Sequence, residues 1–224
     1  MKRELSRLIA GQIFLHACMA GTRMAVPLLA LQQGFSAMAV GALLALFALT
    51  QVFLALPAGR YADRKGLKAP LTLSVAVAFT GVSLSAIWPI FPMLCVSALA
   101  SGGATGMAVI ALQRHVGRLA HGPAELKSAF SWLSIGPAIS NFLGPVLAGL
   151  LIDFAGPEPA HITGFRWAFA LMAVLPLSTW FWVRKVPELH ASHPAQSAGP
   201  RRAMDLLAEP MMRRLLGVNW LLSS

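Results

Sequence analysis

Four residues near the N-terminus combine the residue types and the spacing of a solute-binding stripe. Gln12, His16, Met19 and Arg23 are separated by four, three and four positions. In an α-helix, where each residue advances about 100°, they would share one narrow face. An arginine within an apolar helix costs about 2.5–3.5 kcal/mol on insertion scales, and such residues usually face a protein interior or a wet cavity. We therefore predict that Gln12, His16 and Arg23 line a substrate cavity.

Each polar residue of this stripe also has a simpler interpretation. His16 could be a packing histidine that is satisfied within a helix bundle. Arg23 could extend its charged group to the membrane surface, although it lies about eight residues from the end of its apolar segment, which makes that reach difficult. The cavity interpretation is favoured for Arg23, and both interpretations stay open for His16.

Catalytic and metal-binding patterns are missing from the sequence. It contains no Ser/His/Asp arrangement, no cluster of metal ligands and no nucleotide-binding fingerprint. The two cysteines, Cys18 and Cys95, lie in apolar stretches, as small core residues do. We expect no enzymatic activity, no cofactor and no metal site. A membrane-embedded enzyme stays open as an alternative.

The composition restricts the class of protein that must position these residues. Of the 224 residues, 57% are hydrophobic and only 12% are charged, against roughly 25% charged residues in soluble domains. The mean hydropathy is +0.67. Apolar content this high is also the opposite of a disordered composition. A membrane protein is the class that fits.

Six apolar segments are long enough to cross a bilayer, which takes about 20 residues of α-helix. Short turns at 32–36 and 88–92 separate the first segment from the second and the third from the fourth, so each pair must be antiparallel neighbours. We predict an all-α polytopic membrane protein with six transmembrane helices, at residues 8–31, 37–58, 69–88, 92–113, 128–152 and 165–183.

Basic residues indicate the orientation of these segments. The formal net charge is +10, and all but two of the 18 lysines and arginines lie at the N-terminus, at 59–68, at 114–127 or beyond residue 183. By the positive-inside rule, these four regions are cytoplasmic. We expect a multi-pass protein of the plasma membrane, most simply a bacterial inner membrane, with a cytoplasmic N-terminus. Because topology accounts for the charge, no nucleic-acid partner is expected.

The composition changes after the sixth segment. Residues 190–202 are rich in Pro, Ser, Ala and His, as in linkers. The chain then ends about ten residues into a further apolar segment, too few to cross a bilayer. We predict a six-helix unit at 1–183, a cytoplasmic linker at 184–210 and the truncated start of a seventh transmembrane helix at 211–224. The chain is therefore expected to continue in a longer protein.

One cytoplasmic connection, residues 59–68, carries a recognisable motif. Its sequence resembles the G-x-x-x-D-R-x-G-x-K signature between the second and third helices of the major facilitator superfamily, although Leu67 replaces one basic residue of the family. The resemblance implies a conformational switch, in which an acid in a charge relay stabilises one state of an alternating-access cycle and faces a helix of a second half. Asp63 would be that acid. Alternatively, the connection is a basic anchor with a solvated acid. The matching residues are Gly59, Asp63, Arg64, Gly66 and Lys68.

The fifth segment supplies a second resemblance. Residues 140–149 are similar to the G-x-x-x-G-P-x-x-G-G motif found in the fifth helix of antiporter-type exporters of the same superfamily. Gly144, Pro145 and Gly149 match the motif, whereas Ser140 and Ala148 replace two of its glycines. The resemblance implies helix packing and gating in an exporter. The alternative is a kinked packing helix with no bearing on the direction of transport.

Together these motifs make the chain similar to the N-terminal half of a major facilitator superfamily transporter. The resemblance implies two inverted three-helix repeats, near 8–88 and 92–183, that rock against a second six-helix half around a substrate near the midplane. We expect a secondary transporter of a small organic solute, with export favoured over uptake. The alternative is a six-helix scaffold or receptor that pairs with another copy of itself and does not transport.

The coupling ion is a separate question. None of the six predicted segments contains Asp or Glu, so His16 is the one side chain in them that titrates near neutral pH. Either coupling resides in the second half, or the solute is anionic and binds Arg23 directly. Protons are therefore a candidate partner, beside the solute, the lipid bilayer and the second half.

Overall fold

The computed structural model describes residues 2–120, 122–154 and 161–188. These residues form seven α-helices and no strand, which confirms the all-α prediction. The predicted helix at 211–224 and the predicted linker beyond residue 188 lie outside the described residues. The helices are α1 (Lys2–Gln32), α2 (Ala37–Lys65), α3 (Lys68–Ile87), α4 (Phe91–Leu119), α5 (Pro123–Leu133), α6 (Ile135–Phe154) and α7 (His161–Val183).

Six spans arise from these seven helices, because α5 and α6 together make the fifth. Each span is long and apolar enough to cross a membrane, which confirms the prediction of six transmembrane helices. The break within the fifth span falls at Ser134. Pro137 cannot donate a backbone hydrogen bond to the carbonyl of Leu133, and its ring crowds that carbonyl, so the helix is interrupted there.

Several helices extend beyond the predicted apolar segments. The prediction of a loop at 59–68 is wrong in part, because α2 remains helical to Lys65 and only Gly66 and Leu67 separate it from α3. Likewise, α4 continues to Leu119 and the fifth span begins at Pro123. Hydropathy marks only the part of a helix that suits hydrocarbon. A helix satisfies its own backbone and can continue into the headgroup region, where lysine and arginine side chains are solvated.

Helices α1 and α4 form the centre of the bundle and contact each other. Helices α6 and α7 pack on α1, helices α2 and α3 pack on α4, and α3 contacts α7. If spans one, two and three are exchanged with spans four, five and six, these contacts between spans are unchanged. Two three-helix repeats would produce such a pattern. Helices α3 and α7 cover one side of the central pair. The opposite side lies between α2 and α6, which do not contact each other.

Glycines allow backbones to approach closely at two crossings. A β-carbon on Gly144 of α6 would lie 2.5 Å from the carbonyl oxygen of Ala17 in α1. A β-carbon on Gly102 of α4 would lie 2.5 Å from the carbonyl oxygen of Phe47 in α2. Helices in lipid gain little from the hydrophobic effect when they meet, so close packing of this kind is a main source of their association.

Hydroxyl groups add hydrogen bonds between the same helices. The Ser140 hydroxyl of α6 donates toward a carbonyl oxygen of α1 at 3.0 Å, and the Thr179 hydroxyl of α7 donates to the Gly11 carbonyl of α1 at 2.9 Å. The hydroxyls of Ser85 in α3 and Ser97 in α4 lie 2.6 Å apart. Each bond satisfies a polar side chain inside the bundle, so the spans are joined by polar as well as apolar contacts.

Replacing Gly144 with alanine should loosen the crossing of α1 and α6. The added methyl group would overlap backbone atoms of Ala17 and Gly21, and overpacking costs about 1–3 kcal/mol. We expect Gly144→Ala to lower the midpoint of thermal unfolding of the purified protein. Gly117→Ala in α4 is the matched control, because nothing in the described chain lies within 4 Å of a β-carbon there. Equal losses in both variants would contradict the packing assignment.

Candidate functional site

The C-terminal end of α2 positions the first group of predicted site residues. Asp63 lies in the last turn of the helix, and Gly66 ends it with a φ of 77°, where its N–H donates to the Ala62 carbonyl. A left-handed φ favours glycine, which lacks the β-carbon that makes this region costly. Arg64 is exposed, and α3 begins at Lys68. The signature segment is therefore a tight corner between two helices.

Asp63 binds two arginines of α4. Arg114 forms an ion pair with the Asp63 carboxylate, and Arg118 Nη2 lies 3.3 Å from Asp63 Oδ1. Arg114 also donates to the Gly59 carbonyl at 3.2 Å, at a point where a larger residue would crowd the guanidinium group. The Asp63 side chain is 42% exposed, so solvent weakens both ion pairs.

Arg114 and Arg118 are functional candidates that the sequence interpretation missed. It treated both as part of a cytoplasmic connection at 114–127 whose charge sets the topology. In the structure, α4 carries them to the level of Asp63, and their spacing of four residues places them on one face. This four-residue spacing is the feature of the sequence from which the shared face of the two arginines could have been predicted. A contact of Asp63 with a second half stays a prediction, since the partners among the described residues belong to its own half.

Glu188 binds the other side of the same corner. Its Oε1 accepts a hydrogen bond from the backbone nitrogen of Lys68 at 2.9 Å, at the first residue of α3, where Leu67 provides no side-chain cap. A carboxylate at a helix N-terminus satisfies a free N–H group and interacts favourably with the helix dipole. Because Glu188 follows α7, this contact ties the end of the sixth span to the corner. No local sequence pattern marks it.

The predicted stripe on α1 is divided in the structure. Gln12 and Met19 are buried, His16 is half-buried and Arg23 is exposed. Gln12 and His16 line a narrow, mostly apolar cleft between α1, α3, α4 and α7, and Arg23 lies outside it. The spacing places all four residues on one face of α1. Their surroundings differ because the neighbouring helices cover only part of that face.

The motif of α6 lies where this helix crosses α1. Gly144 meets the backbone of α1, and a β-carbon on Gly149 would be in ordinary contact with the Met24 methyl group at 3.6 Å. Pro145 lies within α6 and is half-buried. The close approach supports a packing function for Gly144, whereas the functions of Pro145 and Gly149 and the direction of transport stay predictions.

Polar ligands are sparse within the described spans. Among the residues that the structure describes, His, Cys, Asp and Glu form no group of three that could hold a metal ion. Cys18 and Cys95 are free, and Cys18 is buried. Arg23 has no hydrogen-bond or ion-pair partner among these residues. Its guanidinium group is therefore available to a ligand.

Asp63→Asn tests whether the ion pairs of the corner do more than support the fold. Exposed ion pairs contribute about 0–1 kcal/mol each, so the free energy of unfolding should change little. Transport by the full-length protein should fall much further if the carboxylate stabilises one conformational state. Asp153→Asn is the matched control, because Asp153 is an exposed acid near the end of α6. Unchanged transport in Asp63→Asn would remove the switch assignment.

Glu188→Ala should destabilise the start of α3. Loss of a side-chain cap costs about 0.5–2 kcal/mol, which thermal unfolding of the purified protein would record as a lower midpoint. Glu188→Gln keeps an oxygen that can accept the hydrogen bond of Lys68, and it should retain most of the stability. A wild-type midpoint in Glu188→Ala would show that the cap has no energetic role.

Comparison with known families agrees with the motifs. A family model described as Major Facilitator Superfamily matches residues 8–223. The match includes the corner at Asp63, the position of Arg23 and the motif of α6. None of the curated proteins compared with the chain matches it. The chain belongs to the major facilitator superfamily.

Proposed function

We propose that this chain is the N-terminal half of a secondary transporter that exports a small organic solute by alternating access. Family membership and the six spans make it a multi-pass membrane protein of a transporter family that acts on small molecules. To this family-level function we add three proposals, which concern the kind of solute, the direction of transport and the presence of a second half. We place the corner at Asp63 on the cytoplasmic side of a plasma membrane, in accordance with the distribution of basic residues.

The position of Arg23 is the main observation that supports a transport function. It belongs to a central helix and lies within a span, yet its side chain is exposed and unpaired among the described residues. A charge of this kind is costly against lipid and is suited to a water-filled cavity. A second six-helix half on the uncovered side of α1 and α4 would enclose such a cavity. Arg23 would then bind a solute with hydrogen-bond acceptors, most favourably an anion.

Large apolar side chains are exposed on the two helices that flank this uncovered side. Val52 and Phe53 on α2 are largely exposed, and so are Phe142 and Leu150 on α6. In a bilayer, such side chains contact either lipid or another part of the protein. We assign part of these surfaces to contact with the second half, which would rock against α2 and α6 during transport.

The corner at Asp63 supports a change between two states. Its ion pairs with Arg114 and Arg118 are solvent-exposed, so breaking them costs little. A helix N-terminus of the second half could replace the arginines as partner of the carboxylate in one state. Export is favoured by the resemblance of residues 140–149 to the exporter motif, with protons as the candidate coupling ion.

A transport screen with the full-length protein tests this function. Inside-out membrane vesicles that contain the protein should accumulate at least one compound from a set of antibiotics, sugars and organic acids, relative to vesicles without it. Failure of every compound, together with self-association of the six-helix unit, would favour the scaffold alternative.

Arg23 variants test the solute site itself. Arg23→Ala should raise the apparent KM about tenfold or more, since loss of one charged contact of about 1.4 kcal/mol has this effect. Arg23→Lys keeps the charge but not the forked geometry and should give an intermediate value. An unchanged KM in Arg23→Ala would remove Arg23 from the substrate cavity.

A further inference from the structure

A buried histidine lies at the end of α4 that carries the two arginines of the corner. His115 is 5% exposed, and its Nε2 has no hydrogen-bond partner among the described residues. Buried polar groups are nearly always bonded, because an unpaired one loses the hydrogen bonds that it made to water. Arg114 directly precedes His115, and Arg118 follows it by three residues. An unsatisfied titratable group is therefore built into the helix that binds Asp63.

Two carboxylates from distant parts of the chain act on the His115 ring. Glu4 lies in the first turn of α1, and Glu188 follows α7. Both attract a charged imidazole, whereas Arg118 repels it. The elements around this end of α4 carry further charged groups, namely Arg7 of α1, Asp63 of α2, Lys68 of α3, Arg114 of α4 itself, Glu125 of α5 and Lys185 after α7. Folding thus brings His115 into a cluster of opposite charges.

One of these carboxylates already has a partner at the corner. Glu188 Oε1 accepts a hydrogen bond from the Lys68 backbone nitrogen at 2.9 Å, and a β-carbon on Gly66 would lie 3.1 Å from the same oxygen. A neutral imidazole has no net charge that would draw Glu188 away from this cap. An imidazolium ion differs, because a buried charge is costly unless it is paired, and hydrogen bonds between charged groups are about twice as strong as neutral ones. Protonation of His115 therefore competes with the cap for Glu188.

We propose that His115 is a pH-sensitive switch that controls the corner through Glu188, and its effect on transport rests on the function proposed above. A hydronium ion from solvent gives its proton to the lone pair of Nε2, leaving water and an imidazolium ion, and the reverse step restores the neutral ring. While His115 is neutral, Glu188 caps α3 and the corner keeps its described shape. Once His115 is charged, Glu188 turns toward it, and the first N–H group of α3 loses its acceptor. Acid at this end of the bundle thus loosens the corner that holds Asp63.

Titration of the full-length protein in nanodiscs tests the switch without any solute. The protein is labelled with ¹⁵N-histidine and ¹⁵N-lysine and is followed by NMR over about pH 5 to 9. The ring signals lost in His115→Gln report His115, and the amide signal lost in Lys68→Arg reports the first N–H group of α3. Both signals should titrate reversibly with one common midpoint. In His115→Gln, which stays neutral, the Lys68 amide should not respond to pH.

Two outcomes of this titration would overturn the proposal. One is a His115 ring whose signals stay constant over the whole range. The other is a Lys68 amide that stays constant while His115 titrates, or that titrates alike in the wild type and in His115→Gln.

Glu188→Gln tests the link between the two groups without altering His115. The amide side chain keeps an oxygen for the hydrogen bond of Lys68 but loses the charge that attracts an imidazolium ion. This variant should lower the midpoint of His115 by about half a pH unit and abolish the response of the Lys68 amide. Asp153→Asn is the matched control, because Asp153 is an exposed acid near the far end of α6. An equal displacement in both variants would show a general effect of charge and overturn the link.

A transport measurement separates this switch from the transport function itself. With a compound identified in the vesicle screen, exchange is measured at equal pH on both sides, and the wild type should be faster at about pH 6 than at about pH 8. His115→Gln should lose most of this difference. A difference of wild-type size in His115→Gln would overturn the switch and leave the transport function standing. If the wild-type protein moves no compound, the transport function fails, and the titration still decides whether His115 controls the corner.

Discussion

A polar group inside a bilayer has no water to bond with, and this constraint organises the described bundle. The helices satisfy their own backbones, and the hydroxyls of Ser140 and Thr179 bond to carbonyl oxygens of α1. Gly102 and Gly144 let backbones approach where side chains would keep them apart. Against this background, Gln12, His16, Ser74, Thr105, His115 and Arg23 stand out, because each has a polar atom that no described residue satisfies. Arg23 differs from the others because its side chain is also exposed, which suits the solute site that we propose.

The same constraint is relaxed at the end of the bundle where α2 meets α3. There Asp63, Arg114 and Arg118 are partly solvated, so keeping these side chains charged costs little free energy. Glu188 fixes the corner from the opposite side through the first N–H group of α3. The ion pairs of Asp63 are weak and reversible, whereas the hydrogen bond of Glu188 caps a helix terminus. A corner with both can keep its backbone shape while the partner of Asp63 changes.

Sequence alone predicted the six spans because hydropathy reports burial in hydrocarbon directly. It did not predict the helix ends, since a helix that leaves the hydrocarbon loses its apolar character without losing its backbone bonds. For this reason Gly59–Lys65 was assigned to a loop, and Arg114 and Arg118 were separated from Asp63. The cap by Glu188 joins residues 120 positions apart in the chain, and no local pattern encodes such a contact. The residues of the stripe share one face of α1, as their spacing predicted. Spacing alone does not show which part of that face the neighbouring helices cover.

That division of the stripe bears on how proton and solute could be coupled. His16 and Arg23 are seven residues apart, about 10 Å along the same face of α1. His16 lines the cleft against α4, whereas Arg23 is exposed and lies outside that cleft. A proton on His16 and a solute on Arg23 would both bias the orientation of one helix, without any direct contact between them. Two ligands that bias the same element are thermodynamically linked, and the linkage is reciprocal. Because α1 also packs against α6 and α7, a change in its tilt would reach the flank of the bundle that the second half is proposed to contact.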